Sequence, residues 1–175
     1  MRKYKRVIIV GQAASGKDYL AEKFVERGFR KGISITTRPM REGEIDGFTY
    51  HYVSNPTFMM ALSNNELYEH VRFNGWMYGI LKADWDIADL FIMTPSGVKS
   101  IKKEDRRKCI VVYIEIDEQI RRGRLDARFD SDKTDRRILA DKKDFKGFID
   151  YDYRIKNPSF DATDWINILS ENEIE

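Results

Sequence analysis

Val7-Ile8-Ile9-Val10 is an unbroken apolar and mostly β-branched run, the pattern of a strand buried on both faces. A loop over residues 11–16 follows. Over 17–27 the apolar residues Leu20, Ala21, Phe24 and Val25 recur at helical spacing, and Gly28 supplies a stop. Residues 90–93 and 108–116 repeat the buried-strand pattern, and 95–103 between them predicts a short helix opening on a proline. Helices are predicted over 117–127 and 132–145, a short strand over 153–155, and a helix ending the segment 158–170. Strand–helix alternation of this kind predicts an α/β fold, a mostly parallel central sheet covered by helices.

Residues 33–80 break that rhythm. They carry turn signals at Gly43, Asp46-Gly47 and Ser54-Asn55-Pro56, segments rich in Thr and Tyr, and a cluster of aromatics. The pattern predicts an inserted small lobe with short antiparallel strands. Residues 128–137 are the most charged stretch, and read either as a solvated helix end or as a mobile lid. Trp76, Trp85 and Trp165 are expected to serve packing.

Composition narrows the classes. The 175 residues suit one domain, and 42% apolar content is enough to build a core. Lys plus Arg is 31 and Asp plus Glu is 29, a net charge of +2, which argues against a general nucleic-acid coat or a polybasic membrane binder. The single cysteine, Cys109, excludes an internal disulfide or a multi-cysteine zinc site, and lies in an apolar run where a core role is expected. Two histidines, His51 and His70, make a His-rich metal centre unexpected. No apolar stretch approaches the roughly 20 residues of a membrane span. The run after the basic N-terminus is too short for a secretory signal, so a cytoplasmic location is expected.

The strongest chemical signal is Gly11-Gln12-Ala13-Ala14-Ser15-Gly16-Lys17-Asp18. It fits G-x-x-x-x-G-K between a strand and a helix, the setting in which backbone N–H groups surround phosphate oxygens and the lysine reaches the β- and γ-phosphates. The eighth position is usually Ser or Thr. Here Asp18 offers a carboxylate, which suits Mg²⁺ as an oxygen ligand or the helix start as a favourable charge.

A second anion site is predicted by Ser34-Ile35-Thr36-Thr37-Arg38-Pro39-Met40-Arg41-Glu42-Gly43-Glu44 and the continuation through Tyr50 to Val53. Two arginines grip phosphate in bidentate fashion, and a phenol adds a donor. This block closely resembles the S-x-T-T-R-x-x-R-x-G-E-x-x-G-x-x-Y-x-F-V pattern of guanylate kinases, with Tyr52 replacing its phenylalanine. Glu69 to Gly79 resembles the family's E-x-A-x-x-x-G-x-x-Y-G. Arg124-Leu125-Asp126-Ala127-Arg128 resembles its R-L-x-x-R, with Arg137 in place of the next lid arginine. Tyr151-Asp152-Tyr153-Arg154-Ile155-Lys156-Asn157 resembles its Y-D-Y-x-I-x-N. The blocks stand in family order from residue 7 to about 160.

The resemblance implies a P-loop three-layer sandwich with a parallel central sheet, an inserted mixed α/β lobe that binds a nucleoside monophosphate (33–80) and a short helical lid (128–137). The core is then 1–32, 81–127 and 138–175. It implies phosphoryl transfer from ATP, with Mg²⁺, to GMP or dGMP. Gly11, Ala13, Ala14, Ser15, Gly16, Lys17, Asp18 and Asn157 would hold ATP. Ser34, Arg38, Arg41, Tyr50, Glu69, Tyr78 and Thr94 would hold the acceptor. Lys17, Arg124, Arg128 and Arg137 would act on the transferring phosphoryl, and Asp18 would meet the metal.

Some positions depart from the pattern. Ile80 replaces a hydroxyl expected near the guanine O6, and Thr94 and Ile92 replace the aspartates of D-x-D-x-Q-G, so Asp18 is expected to supply the missing carboxylate for the metal. These departures leave open a kinase of another (deoxy)nucleotide or of a ribose phosphate ester. A non-catalytic phosphopeptide-binding module of the same fold is a further alternative. The partners expected are small nucleotides, not nucleic acid or membrane, and the pattern says nothing of oligomeric state.

Overall fold

The computed structural model describes residues 6–127 and 133–171. Strands β1 (Arg6–Gly11) and β7 (Cys109–Ile114) are buried at every position and pair in parallel from Arg6↔Cys109 to Gly11↔Ile114. Strand β6 (Leu90–Met93) flanks β1 and β8 (Tyr153–Ile155) flanks β7, both in parallel, giving the order β6-β1-β7-β8.

Alternate residues serve opposite faces. Val7, Ile9 and Val112 pack with Leu20 and Phe24 of α1 (Lys17–Glu26) and with Ile166 and Leu169 of α8 (Ala162–Glu171). Ile8, Val10 and Val111 pack with Trp85 of α3 (Lys82–Ile87), Val98 of α4 (Pro95–Ser100) and Phe148. The result is the expected helix–sheet–helix sandwich. Cys109 lies in this second layer, where burial pushes its thiol up to about 11, so it is an unreactive core residue.

The helix expected over 95–103 is two. Helix α4 stops where Ile101 turns extended (ψ 129°) and buries its side chain, and α5 (Lys103–Arg106) restarts after it. Two further helices, α6 (Glu118–Asp126) and α7 (Thr134–Asp144), lie beside each other past β7.

A second sheet has the order β3-β2-β5-β4, from β2 (Ile35–Thr36), β3 (His51–Tyr52), β4 (Leu67–Phe73) and β5 (Trp76–Leu81). It closes on α2 (Asn55–Ser63) over a small core of Ile35, Phe58, Ala61 and Leu67. The β2–β5 and β4–β5 pairs are antiparallel as expected, but β2 and β3 are parallel. The chain between those two forms a looped crossover rather than a tight hairpin, so β3 enters in the same direction as β2. Among the described residues no helix is long and apolar enough to cross a membrane.

Candidate active site

The glycine loop turns back on itself between β1 and α1. Ala14 (φ 59°) and Gly16 (φ 103°) both take the left-handed conformation, and for Ala14 that costs on the order of 1 kcal/mol. A Cβ on Gly11 would sit 2.5 Å from the Ser15 hydroxyl and 3.0 Å from the Ile114 carbonyl, so only glycine lets the loop pack on β7. Ser15 is wholly buried and its hydroxyl has no partner, an orphaned polar atom inside the loop. Lys17 Nζ donates to the Gln12 carbonyl at 2.9 Å, which folds the cation over the loop. Asp18 stands exposed in the first turn of α1, facing the same cleft.

The loop is braced from behind. Asp141 of α7 accepts the Ala13 N–H at 2.9 Å and pairs with Arg121 of α6 at 3.1 Å. Arg124 donates to the carbonyls of Ala14 (3.0 Å) and Pro158 (2.9 Å), tying the loop to the segment that begins at Asn157. Asn157 itself accepts the Ser159 N–H at 2.9 Å. Neither Arg124 nor Asn157 lines the cleft, whereas Arg137, buried on α7, does. Arg128 lies outside the described residues, as does part of the expected lid. The far end of that lid falls inside α7, so Arg137 rides on the same helix as Asp141.

Opposite the loop, Arg38 makes a two-pronged bond to Glu44 at 2.9 and 2.7 Å. Glu44 also accepts the Arg41 N–H and the Tyr52 hydroxyl, each at 2.7 Å. Burial raises the Glu44 carboxyl, but these donors outweigh it and hold the group below the ordinary carboxylate range. Sequence reasoning gave Glu44 no role, although it stands in the quoted block. It also accounts for Tyr52, whose hydroxyl makes a bond that phenylalanine would not. The Tyr50 and Tyr78 rings lie 5.8 Å apart, with the Arg38 guanidinium 5.4 Å from the Tyr50 ring. Burial raises both phenols, which therefore remain protonated donors.

Glu69 on β4 forms the floor of the adjoining pocket. It is 7% exposed, its Oε2 has no partner, and burial pushes its carboxyl up to about 7. Thr94 lines the pocket and caps α4 by accepting the Gly97 N–H at 3.1 Å, which leaves its own O–H to donate. Ile80 is not at the pocket wall. Its side chain is buried in the layer that holds Trp85 and Phe91, away from the cleft lining.

Both halves face one cleft of about 1020 Å³, where Lys17, Asp18 and Arg137 meet Ser34, Arg38, Arg41, Tyr50, Glu69, Tyr78 and Thr94. Helix α7 also reaches across the cleft. Arg136 of α7 lies 4.5 Å over the Trp76 ring and donates to the Asn74 side chain at 3.1 Å, joining α7 to the β4–β5 turn. Trp76 is thus a cleft residue rather than packing, unlike Trp85, buried in the core, and Trp165, packed against it. Among the described residues no group of three acidic, His or Cys side chains could hold a metal ion.

A sequence profile described as guanylate kinase matches residues 3–170. The chain belongs to the guanylate kinase family. It is 30% identical over 172 residues to a guanylate kinase of Rickettsia prowazekii, covering 90% of this chain and 85% of that protein. It is 27% identical over 164 residues to one of Lactobacillus delbrueckii, covering 86% and 79%. A crystal structure of guanylate kinase from Anaplasma phagocytophilum superposes with a TM-score of 0.77 at 21% identity, over all of this chain and 89% of that one, and shares the fold. These matches span most of both chains, so both sheets and the cleft between them fall inside the shared region.

Proposed function

We propose that this guanylate kinase transfers the γ-phosphoryl group of ATP to GMP, yielding ADP and GDP. One observation carries the reading: an amide-and-lysine loop and an arginine–tyrosine cluster face each other across a single cleft. An acceptor phosphate oxygen, already anionic, attacks the γ-phosphorus. The bond to the β–γ bridging oxygen breaks, and ADP leaves with that electron pair. No side-chain base is required, so the protein's work is placement and charge compensation.

Lys17 and the loop amides hold the β- and γ-phosphates. Arg38, Arg41, Tyr50 and Tyr78 hold the acceptor phosphate, with Glu44 fixing Arg38 in its approach. An ionised Glu69 accepts the N1–H and N2–H of guanine, and Ser34 and Thr94 face the same base. Arg137 compensates charge on the moving phosphoryl, and Arg128 joins it by its place in the motif. Arg124 serves the donor side by bracing Ala14 against the segment at Asn157.

Asp18 would hold Mg²⁺ beside the donor phosphates, where the ion would supply positive charge to offset theirs. Magnesium usually takes one or two carboxylates beside substrate phosphates and water, and the loop's one carboxylate, Asp18, fits that need without a cluster. The lobe 33–80 and the lid 128–137 close over the nucleotides and exclude water. A cytoplasmic site of action fits substrates of this kind. The presence of Lys17 and Arg137 in the cleft favours an enzyme over a phosphopeptide-binding module.

The test is ADP release on mixing ATP and Mg²⁺ with GMP, dGMP, AMP, CMP, UMP or ribose 5-phosphate in turn. Release with GMP that stops on chelating the metal is the expected result. Release with ribose 5-phosphate alone, or with no acceptor, would refute the assignment.

A further inference from the structure

The brace behind the phosphate loop has a geometry that packing alone does not require. Asp141 Oδ2 accepts the Ala13 N–H at 2.9 Å, while Arg121 Nη1 reaches the Ala13 carbonyl at 3.4 Å. Both backbone groups of one loop residue are therefore held by one ion pair, closed by the 3.1 Å bond between its members. Arg121 is fixed in turn by its Nε, which donates to the Ile116 carbonyl at 3.0 Å. The pair is sealed, with Arg121 2% and Asp141 4% exposed, and Ala13, Ala14, Leu125 and Ile138 form an apolar cluster beside it.

A buried ion pair gains little stability over well-packed apolar side chains of the same volume. Apolar side chains could dock α7 equally well, but they cannot accept an N–H and donate to a C=O of one residue. The next residue, Ala14, is the strained one (φ 59°), and such a conformation persists only where its surroundings over-determine it.

We infer that Asp141, through Arg121, is a positioning residue for the donor loop: it holds Ala13 so that the loop keeps its phosphate-binding shape before ATP arrives. The inference rests on the loop being the ATP site of the proposed reaction. Burial is the larger effect and raises the Asp141 carboxyl, against the downward pull of the Ala13 N–H, Lys17, Arg121 and Arg137, a desolvation cost that a purely packing role would not need. A loop already ordered loses less entropy when it captures phosphate, so the effect belongs to donor affinity and not to acceptor affinity.

The test uses the whole chain and calorimetric binding of a non-hydrolysable ATP analogue with Mg²⁺, and separately of GMP. Asp141→Asn keeps the shape but not the charge. The pair Asp141→Leu with Arg121→Leu leaves no lone buried charge and so guards against misfolding. Both variants are expected to bind the analogue about tenfold or more weakly and GMP within about twofold of wild type. Wild-type affinity for the analogue in both variants would overturn the inference. So would an equal loss for both nucleotides alongside a lowered melting temperature. Binding is read without turnover. A wild type that binds the analogue but leaves GMP unphosphorylated therefore sinks the proposed activity and leaves the Asp141 reading in place.

Discussion

Glu69 and Lys17 carry the sharpest residue-scale expectations. Burial places the Glu69 carboxyl near 7, above its ordinary 4.5, so the folded protein binds this proton more tightly than the unfolded chain does. Its contribution to stability is therefore complete below about 4.5 and declines as pH rises through about 7. Guanine offers two N–H donors and needs the ionised acceptor. KM for GMP is thus expected to rise about tenfold between pH 8 and pH 6, with KM for ATP much flatter. A GMP profile level across that range would remove Glu69 from base recognition. Glu69→Gln should melt a few degrees higher than wild type while binding GMP more weakly, a trade of affinity against stability read by paired melting and binding curves. Lys17→Ala should lose about 10²–10³-fold in kcat with its fold intact by circular dichroism.

The residues that contiguous motifs picked out, from Lys17 to Tyr78, stand at the cleft because their spacing is local and each block folds on one strand or loop. Asp141 was silent because its partner, Ala13, lies 128 positions away. One carboxylate on a charged helix looks like any solvated residue until the chain brings the two together.

Helix α7 touches both halves of the cleft. It holds Ala13 through Asp141, turns Arg137 into the cleft, and reaches the β4–β5 turn through Arg136. Arg136 is exposed, so its bond to Asn74 and its contact with Trp76 add little to global stability. Arg136→Ala and Asn74→Ala should leave the melting temperature within about 1 °C of wild type, yet lower kcat/KM for GMP several-fold, because closure is less favourable. Trp76 is the one tryptophan that lines the cleft, so its emission should shift when both nucleotides bind and shift less in Arg136→Ala. An unchanged spectrum in wild type would argue against closure over this turn. Strands and helices of the core were legible because apolar periodicity is strong there. The parallel β2–β3 pair was not, because two-residue strands carry no period and their direction depends on the path of the loop between them.

At the scale of the molecule, a net charge of +2 must accommodate two polyanions. Local arrangement achieves this: Lys17, Arg38, Arg41 and Arg137 face the cleft, and the acidic residues that share its lining include Glu44, which orients Arg38. Each nucleotide supplied at about 100 times its Kd should stabilise the fold by about 2.7 kcal/mol, or roughly 5–10 °C in melting temperature for a chain of this size. The strand–helix alternation made the sandwich legible from the start. The depth of the cleft was not legible, because it depends on how two sheets that share no strand are set against each other. The most direct test of two phosphate sites in one cleft is calorimetric titration with adenosine and guanosine joined 5′ to 5′ by a polyphosphate bridge. One molecule should bind per chain, about 10²-fold or more tighter than ATP or GMP alone. Two molecules per chain, or an affinity no better than that of ATP, would contradict the facing arrangement.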